Sequence, residues 1–156
     1  MAANPAYLDG LKLLARRELS EKQVRQRLGR KGHDADAVDE AVARLREERA
    51  IDDTRVAEAI ARTSTSVKRR GRQRVRLDIE RSGIAASVAK RAVADVFAGL
   101  DDEALLAAAI RRRLRGRETI DSERELHRLY RYLIAQGFEP ERALAALRAL
   151  YRPQSS

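Results

Sequence analysis

The stretch KRRGRQRVRLDIERSGI, residues 68–84, combines the densest basic segment of the chain with an apolar helical seam and a terminal glycine. Val75 and Ile79 lie four residues apart, so on a helix they face the same side. Gly83 follows at the position where a helix end favours a residue that tolerates positive φ. The stretch therefore predicts one basic helix that ends at a glycine turn.

The same arrangement surrounds two other glycines, with one apolar pair before each glycine and another pair after it. The pairs are Val24–Leu28 and Val42–Leu45 around Gly32, Val75–Ile79 and Val93–Val96 around Gly83, and Leu129–Leu133 and Leu147–Leu150 around Gly137. The glycines are 51 and 54 residues apart. This period predicts an all-α fold of three tandem three-helix repeats, about nine helices, stacked as an elongated, curved array. The predicted repeats are 4–50, 51–100 and 101–152, followed by a disordered tail at 153–156.

Local patterns predict how several helices begin and which face they bury. Asn4-Pro5 favours a helix start, and the first helix is expected to bury a stripe of Leu8, Leu11, Leu14 and Ala15. Ser20 with Gln23, and Ser122 with Glu125, fit the capping box. The segment TSTSV, residues 63–67, is expected to form a flexible joint.

The charge of the chain favours a polyanionic partner. The net charge is +9, and arginine supplies 28 of the 33 basic side chains. Residues 1–50 carry eleven basic and nine acidic groups, whereas residues 51–156 carry twenty-two and fifteen. Arginine binds phosphate in a fork that lysine does not form, so the second and third repeats are expected to contact nucleic acid or an acidic protein. A GC-rich genome that prefers arginine codons is the alternative explanation.

Two basic clusters are the candidate binding residues. They comprise Lys68, Arg69, Arg70, Arg72, Arg74, Arg76 and Arg81 in the first cluster and Arg111, Arg112, Arg113, Arg115 and Arg117 in the second. Arg70, Arg74 and Arg81 are expected to draw a basic line along one helix. A helix-turn-helix protein would carry its base contacts on the helix after the turn. Here the arginines precede the turn, which argues for a surface that follows a backbone or another protein. The alternative for both clusters is a solvated charged face paired with neighbouring acids.

The residue types argue against catalysis. The chain has no cysteine and two histidines, His33 and His127, each expected at the solvated surface. No phosphate loop, metal-ligand spacing or nucleophile motif occurs, so no enzyme activity, metal site or cofactor is expected. No apolar run approaches the roughly 20 residues of a membrane span, and a cytoplasmic monomer is expected.

Several segments, taken in order, resemble the RecX regulatory family across nearly the whole chain, from Tyr7 to about Tyr151. Ile51-Asp52-Asp53-Thr54-Arg55-Val56-Ala57 is similar to the signature of that family, two aspartates followed by a Phe-Ala pair, with Val56 in place of the phenylalanine. The other segments are Tyr7-Leu8 through Arg17, Ser20-Glu21, Lys31-Gly32, Gly71 through Ile84, and Gln136-Gly137-Phe138. The resemblance marks Asp52, Asp53, Val56 and Ala57 as family positions, and we expect the aspartates to cap a helix.

This resemblance implies a modulator, usually an inhibitor, of the RecA recombinase in DNA repair. Such proteins lie in the groove of the RecA filament on single-stranded DNA, block ATPase and strand exchange, and promote filament disassembly. The expected partners are therefore a RecA filament and single-stranded DNA, with double-stranded DNA as a further ligand. A general nucleic-acid-binding helical protein that is not sequence-specific is the first alternative, and a helical adaptor without a nucleic-acid link is the second.

Overall fold

The computed structural model describes residues 3–154, and this range forms nine α-helices and no strand. The helices are α1 Pro5–Arg16, α2 Glu21–Arg30, α3 Ala35–Glu47, α4 Asp53–Ser66, α5 Arg72–Arg81, α6 Ala86–Ala98, α7 Asp102–Leu114, α8 Glu123–Ala135 and α9 Pro140–Leu150. Within the described range, one parallel bridge joins Ile120 to Tyr151. The predicted all-α fold is therefore confirmed. Of the predicted tail, Pro153 and Gln154 are exposed and irregular, while residues 155–156 lie outside the described residues.

The glycine turns form where the repeat predicts them. Gly32, Gly83 and Gly137 have φ of 94°, 85° and 91°, which is the left-handed region that glycine enters without a Cβ penalty. The apolar pairs that precede these glycines are all buried. Each glycine therefore ends a helix whose apolar seam lies in a core.

Capping residues begin the helices, with one difference from the prediction. Asn4 accepts a hydrogen bond from the Ala6 amide at the start of α1, and Ser20 forms the full capping box with Gln23. Ser122 accepts from the Glu125 amide, but the reciprocal bond is missing because the Glu125 carboxylate binds Arg117 instead. Only half of the second predicted box therefore forms.

The chain folds into two compact units. One unit contains the chain up to Ala59 together with Ile79–Ala92, and the other contains Ile60–Asp78 together with the chain from Val93 onward. The helices α4, α5 and α6 each contribute residues to both units. The division into three repeats at 4–50, 51–100 and 101–152 therefore stays a prediction.

In the first unit, the start of α2 meets the turn after α5. Ser20 Oγ donates a hydrogen bond to the Ser82 carbonyl, and the Glu21 amide donates to Asp53 Oδ1 at 2.9 Å. A Cβ on Gly83 would lie 2.5 Å from the Lys22 side chain. A helix start and a glycine turn therefore fit together closely in this unit.

In the second unit, the start of α5 contacts the turn after α8 in the same way that the start of α2 contacts the turn after α5. The Gly71 amide donates to the Gln136 carbonyl at 2.7 Å, and the Arg72 guanidinium donates to Asp102 at 3.1 Å. A Cβ on Gly137 would lie 2.2 Å from the Arg74 amide nitrogen. Gly71 precedes α5 as Ser20 precedes α2, so one type of junction is built twice from different side chains.

The buried face of α1 differs from the predicted stripe. Ala6, Tyr7 and Gly10 are buried, whereas Leu8 and Leu11 are exposed. A Cβ on Gly10 would lie 2.7 Å from Leu45 Cδ1, so the missing side chain lets α3 approach closely. The prediction was wrong for Leu8, Leu11 and Ala15, which are exposed, whereas Leu14 is half-buried against the core. The contact between the helices is made through small residues, which the leucine pattern does not show.

The segment 63–67 is not a joint, because α4 continues through Ser66. Ser64 and Thr65 are buried. Thr65 Oγ1 donates to the Ala61 carbonyl at 2.9 Å and Ser66 Oγ to the Arg62 carbonyl at 2.7 Å. Hydroxyls that bond to the preceding helical turn are satisfied without leaving the helix, which composition alone does not reveal.

His33 is also placed differently from the prediction, whereas His127 is exposed as expected. His33 Nε2 lies 2.6 Å from Asp9 Oδ2, and its side chain is mostly covered. This hydrogen bond lowers the pKa of Asp9 below its ordinary value. The pair holds the turn after α2 against α1. None of the described helices is both long and apolar enough to span a bilayer.

Candidate nucleic-acid and partner interface

The two basic clusters of the sequence meet in the second unit. Val67 and Arg69, which follow α4, and Ala108, Arg111 and Arg112 on α7 line one shallow depression of about 530 Å³. Arg112 Nη1 donates a hydrogen bond to the Val67 carbonyl at 2.6 Å, which ties the two segments together. We call Lys68, Arg69, Arg111 and Arg112 the basic patch.

The charges of the basic patch are available to a ligand. Its four side chains are exposed. Among the described residues, Lys68, Arg69 and Arg111 make no ion pair, and Arg112 contacts only a carbonyl. Phosphate or carboxylate groups are the ligands that such guanidinium groups bind most strongly.

Helix geometry explains why cations gather here. Lys68 and Arg69 follow the C-terminus of α4, and Arg111 and Arg112 lie in the last turn of α7. The carbonyl end of a helix carries partial negative charge and favours cations.

Arg69 has φ of 54°, a left-handed conformation that costs a residue with a side chain roughly 1–2 kcal/mol.

The predicted basic line through Arg70 and Arg74 does not form. The helix α5 begins only at Arg72, so Arg70 precedes it. Arg70 Nη1 lies 2.7 Å from Asp78 Oδ2, and Arg74 Nε lies 3.0 Å from Asp78 Oδ1. Arg74 also donates to the Ala135 carbonyl at 3.1 Å. These two arginines therefore hold the protein's own backbone and carboxylate.

Asp78 is the centre of this ion cluster. Its side chain is 13% exposed, and Ser64 Oγ donates to it at 3.3 Å. Burial on its own would raise the pKa of Asp78, but the hydrogen bonds from Arg70 and Arg74 outweigh burial and hold the pKa below its ordinary value. The carboxylate is thus ionised in the folded chain and neutralises two of the predicted binding cations.

Three further predicted residues are engaged within the second unit. Arg72 pairs with Asp102 and lies over the Phe97 ring, 4.8 Å from its centroid. Arg113 lies over the Tyr132 ring at 4.4 Å. Arg117 pairs with the buried carboxylate of Glu125, and this hydrogen bond lowers the pKa of Glu125. Their charge is partly satisfied inside the chain.

Three predicted residues stay at the surface outside the patch. Arg76, Arg81 and Arg115 are exposed and make no ion pair within residues 3–154. Arg115 is the left-handed cap of α7, with φ of 51°. Leu77, which follows Arg76 on α5, is 39% exposed.

The family positions Asp52 and Asp53 serve two different helices. Asp52 Oδ1 accepts from the Arg55 amide at 3.1 Å at the start of α4. Asp53 Oδ1 accepts from the Glu21 amide and so satisfies the start of α2. Val56 and Ala57 are buried behind them.

Some contacts of these arginines carry no local signal in the sequence. The Val67 carbonyl and Glu125 lie 45 and 8 residues from the arginines that they bind. Among the described residues, no group of three His, Asp or Glu side chains is arranged to hold a metal ion.

Comparison with known proteins identifies the family. A family model described as RecX, first three-helix domain, matches residues 6–45. "Regulatory protein RecX" of Halorhodospira halophila is 32% identical over 149 residues, covering 95% of this chain and 90% of that protein. The chain belongs to the RecX family of regulatory proteins. The resemblance stated from its motifs is confirmed.

Other RecX proteins agree, although their lengths vary. "Regulatory protein RecX" of Syntrophotalea carbinolica is 32% identical over 135 residues, which are 85% of this chain and 88% of that protein. The Geobacillus kaustophilus protein is 31% identical over 145 residues, or 92% of this chain. The chain spans about half the length of this last relative, 53%.

Solved structures share the fold. The crystal structure of RecX from Lactobacillus salivarius superposes with a TM-score of 0.73 at 21% identity, covering 93% of this chain and 94% of that one. A second crystal structure of regulatory protein RecX gives 0.74 at 21% identity, covering 92% and 70%. The all-α helical-repeat architecture is thus that of RecX.

Proposed function

We propose that this protein regulates, as an inhibitor, the RecA recombinase by binding in the groove of the RecA filament on single-stranded DNA. It would lower the ATPase and strand exchange of the filament and promote its disassembly in DNA repair. Membership of the RecX family supports this role, because the family resemblance implies RecA as the partner. We also propose that the protein acts as a cytoplasmic monomer, without a cofactor and without catalysis of its own.

The observation that carries the proposal is the meeting of two sequence-distant basic segments in the basic patch. Arg69 follows α4 and Arg111 lies on α7, yet both line one depression. A filament presents phosphates and protein carboxylates along its groove, and exposed guanidinium groups bind both. We therefore assign the contact to Lys68, Arg69, Arg111 and Arg112, and not to Arg70 and Arg74, which already bind Asp78.

The experiment is a titration of this protein into RecA assembled on single-stranded DNA, with the ATPase rate as the readout. We expect inhibition well below one protein per RecA, because one bound molecule would affect several protomers. The double variant Arg69→Glu with Arg111→Glu is expected to need at least about tenfold more protein, since two reversed charges act in a partly desolvated contact.

The matched control is Arg16→Glu with Arg30→Glu, which changes the net charge equally at two exposed residues of the first unit. Equal inhibition by the wild type and the patch variant would contradict the assigned surface. No inhibition by the wild type would contradict the proposed function itself.

The alternative is a general nucleic-acid-binding protein, which the same exposed cations favour. It predicts tight, salt-sensitive binding to single-stranded DNA that needs no RecA. A helical adaptor without a nucleic-acid link predicts binding to neither. Oligonucleotide binding with and without RecA separates the three functions.

A further inference from the structure

The third helix of the chain closes onto the first, whereas the corresponding pair near the C-terminus stays apart. Gly10 is the sixth residue of α1 and lets α3 bring Leu45 into full burial. Ala107 is the sixth residue of α7, and Leu150 holds in α9 the position that Leu45 holds in α3. Ala107 carries the Cβ that Gly10 lacks, and α7 and α9 make no comparably close approach.

A groove of about 610 Å³ lies between α7 and α9. Its apolar lining is formed by Leu106, Ala107, Ile110, Ala145, Ala146 and Leu150. Ala107 and Ala145 are exposed, while Ala146 and Leu150 are half-buried. The short alanine side chains leave space between the helices, so larger apolar side chains of another molecule would fit there.

The edges of the groove carry charge of defined sign. Arg111 and Arg142 line it, together with Glu103. Arg142 lies near Asp102 and Glu139, at 3.8 Å and 3.5 Å. Arg111 makes no ion pair with any described residue, so its guanidinium at the edge of the groove is available to a carboxylate of a partner.

We propose that this groove binds an amphipathic helix of a partner protein, whose apolar face packs on α7 and α9 and whose carboxylates pair with Arg111. An apolar channel between two helices is completed by a third helix in the helix-in-groove mode. Because the α9 residues that line the channel run from Arg142 to Leu150, the channel is about 12 Å long, which is a little over two helical turns. The lining holds no aromatic ring on which a nucleic-acid base would stack.

This inference goes beyond the proposed function, since the groove lies outside the contact assigned to the filament and shares only Arg111 with it. The probe is a synthetic 18-residue peptide with leucine at helical spacing and glutamate on its flanks. Titrated into the ¹⁵N-labelled full chain, it is expected to shift the amide signals of Ala107, Ile110, Ala145, Ala146 and Leu150. A scrambled peptide of the same composition is expected to shift none of them.

Two variants test the groove and its charge. Ala145→Trp fills the channel from an exposed position and is expected to weaken peptide binding at least about tenfold. The control Ala43→Trp, at an exposed alanine of α3, is expected to leave it unchanged. Arg111→Glu is expected to weaken the glutamate peptide and to strengthen a peptide with lysine in place of glutamate.

Each other outcome overturns the proposal. Signals that do not shift, or equal affinity of Ala145→Trp and the wild type, would remove the groove as a docking site. Shifts of the α9 amides of Ala145, Ala146 and Leu150, which lie outside the basic patch, by a thymidine oligonucleotide in place of the peptide would assign the groove to nucleic acid. Shifts that follow protein concentration alone would assign it to a second copy of this chain.

Discussion

At the residue scale, the position of one carboxylate decides which arginines can bind a partner. Asp78 accepts hydrogen bonds from Arg70 and Arg74, and all three side chains are largely covered. An arginine that already holds a half-buried carboxylate would have to break that pair before binding phosphate. Lys68 and Arg69, two residues and one residue before Arg70, have no such carboxylate within the described range. Adjacent basic residues therefore differ in whether a carboxylate of the chain already pairs with them.

We predict that Asp78→Asn lowers the free energy of unfolding by about 2 kcal/mol at neutral pH, because it leaves two arginines with a neutral partner in a largely covered site. Urea unfolding measures the loss. The control Asp95→Asn, at an exposed position of α6, is expected to change it by less than about 0.5 kcal/mol.

The pH dependence of that loss follows from the sign of the pKa shift. The folded-state pKa of Asp78 is lowered from 3.8, so its stabilisation is complete above about pH 4 and is lost as the pH falls through the folded value. The stability difference between the wild type and Asp78→Asn should therefore shrink as the pH falls from about 4 through the lowered pKa of the folded state. A difference that stays constant over this range would contradict the ion cluster.

At the scale of the elements, the glycine turns serve two separate purposes. Gly32 lies at a helix end where a Cβ would meet nothing within 4 Å. Gly137 has nearly the same φ, but the start of α5 occupies the space that a Cβ would need. The first glycine therefore provides backbone freedom alone, and the second provides backbone freedom together with close contact.

We predict that Gly32→Ala lowers the unfolding free energy by about 1–2 kcal/mol, the cost of the left-handed conformation alone. Gly137→Ala is expected to lose about 1–3 kcal/mol more, because its methyl group would displace the backbone at Arg74. Gly83→Ala should fall between them, since its neighbour is the flexible Lys22 side chain. Thermal or urea unfolding of the three variants gives the order, and equal losses would contradict the junction.

At the scale of the whole molecule, the excess of positive charge is distributed between internal pairs and an exposed patch. The net charge is +9, yet Arg70, Arg72, Arg74 and Arg117 are all bound to carboxylates of the chain. Binding to a polyanion releases one set of counterions for each phosphate that is neutralised. The salt dependence of binding should therefore follow the basic patch and not the total charge.

We predict that the logarithm of the affinity for a thymidine oligonucleotide falls with the logarithm of salt concentration with a slope of about −3, as expected for four neutralised phosphates. Lys68→Ala with Arg111→Ala should reduce the magnitude of the slope by about 1.4. Arg124→Ala with Arg131→Ala changes the net charge equally at exposed positions of α8 and should leave the slope unchanged. Fluorescence anisotropy across a salt series measures all three proteins, and equal slopes for both variants would contradict the patch.

Local patterns predict most of the helices, the glycine turns and the family, because each depends on spacing within a few residues or on the order of short motifs. Val24–Leu28 and Leu129–Leu133 predict buried seams since four-residue spacing aligns side chains on a helix. Gly32 and Gly137 predict left-handed turns since a glycine lacks the Cβ that opposes them.

The pairing of the charges and the burial of the helix faces become visible only in the folded chain. Arg112 meets the Val67 carbonyl across 45 residues, and Arg72 meets Asp102 across 30, so no local pattern reports either contact. Leu8 is exposed although leucine favours burial. The face of α1 that packs against α3 is the one that carries Gly10, because the absent side chain allows a close approach. Helix formation depends on neighbours along the chain, whereas ion pairing and close packing depend on residues that only folding brings together.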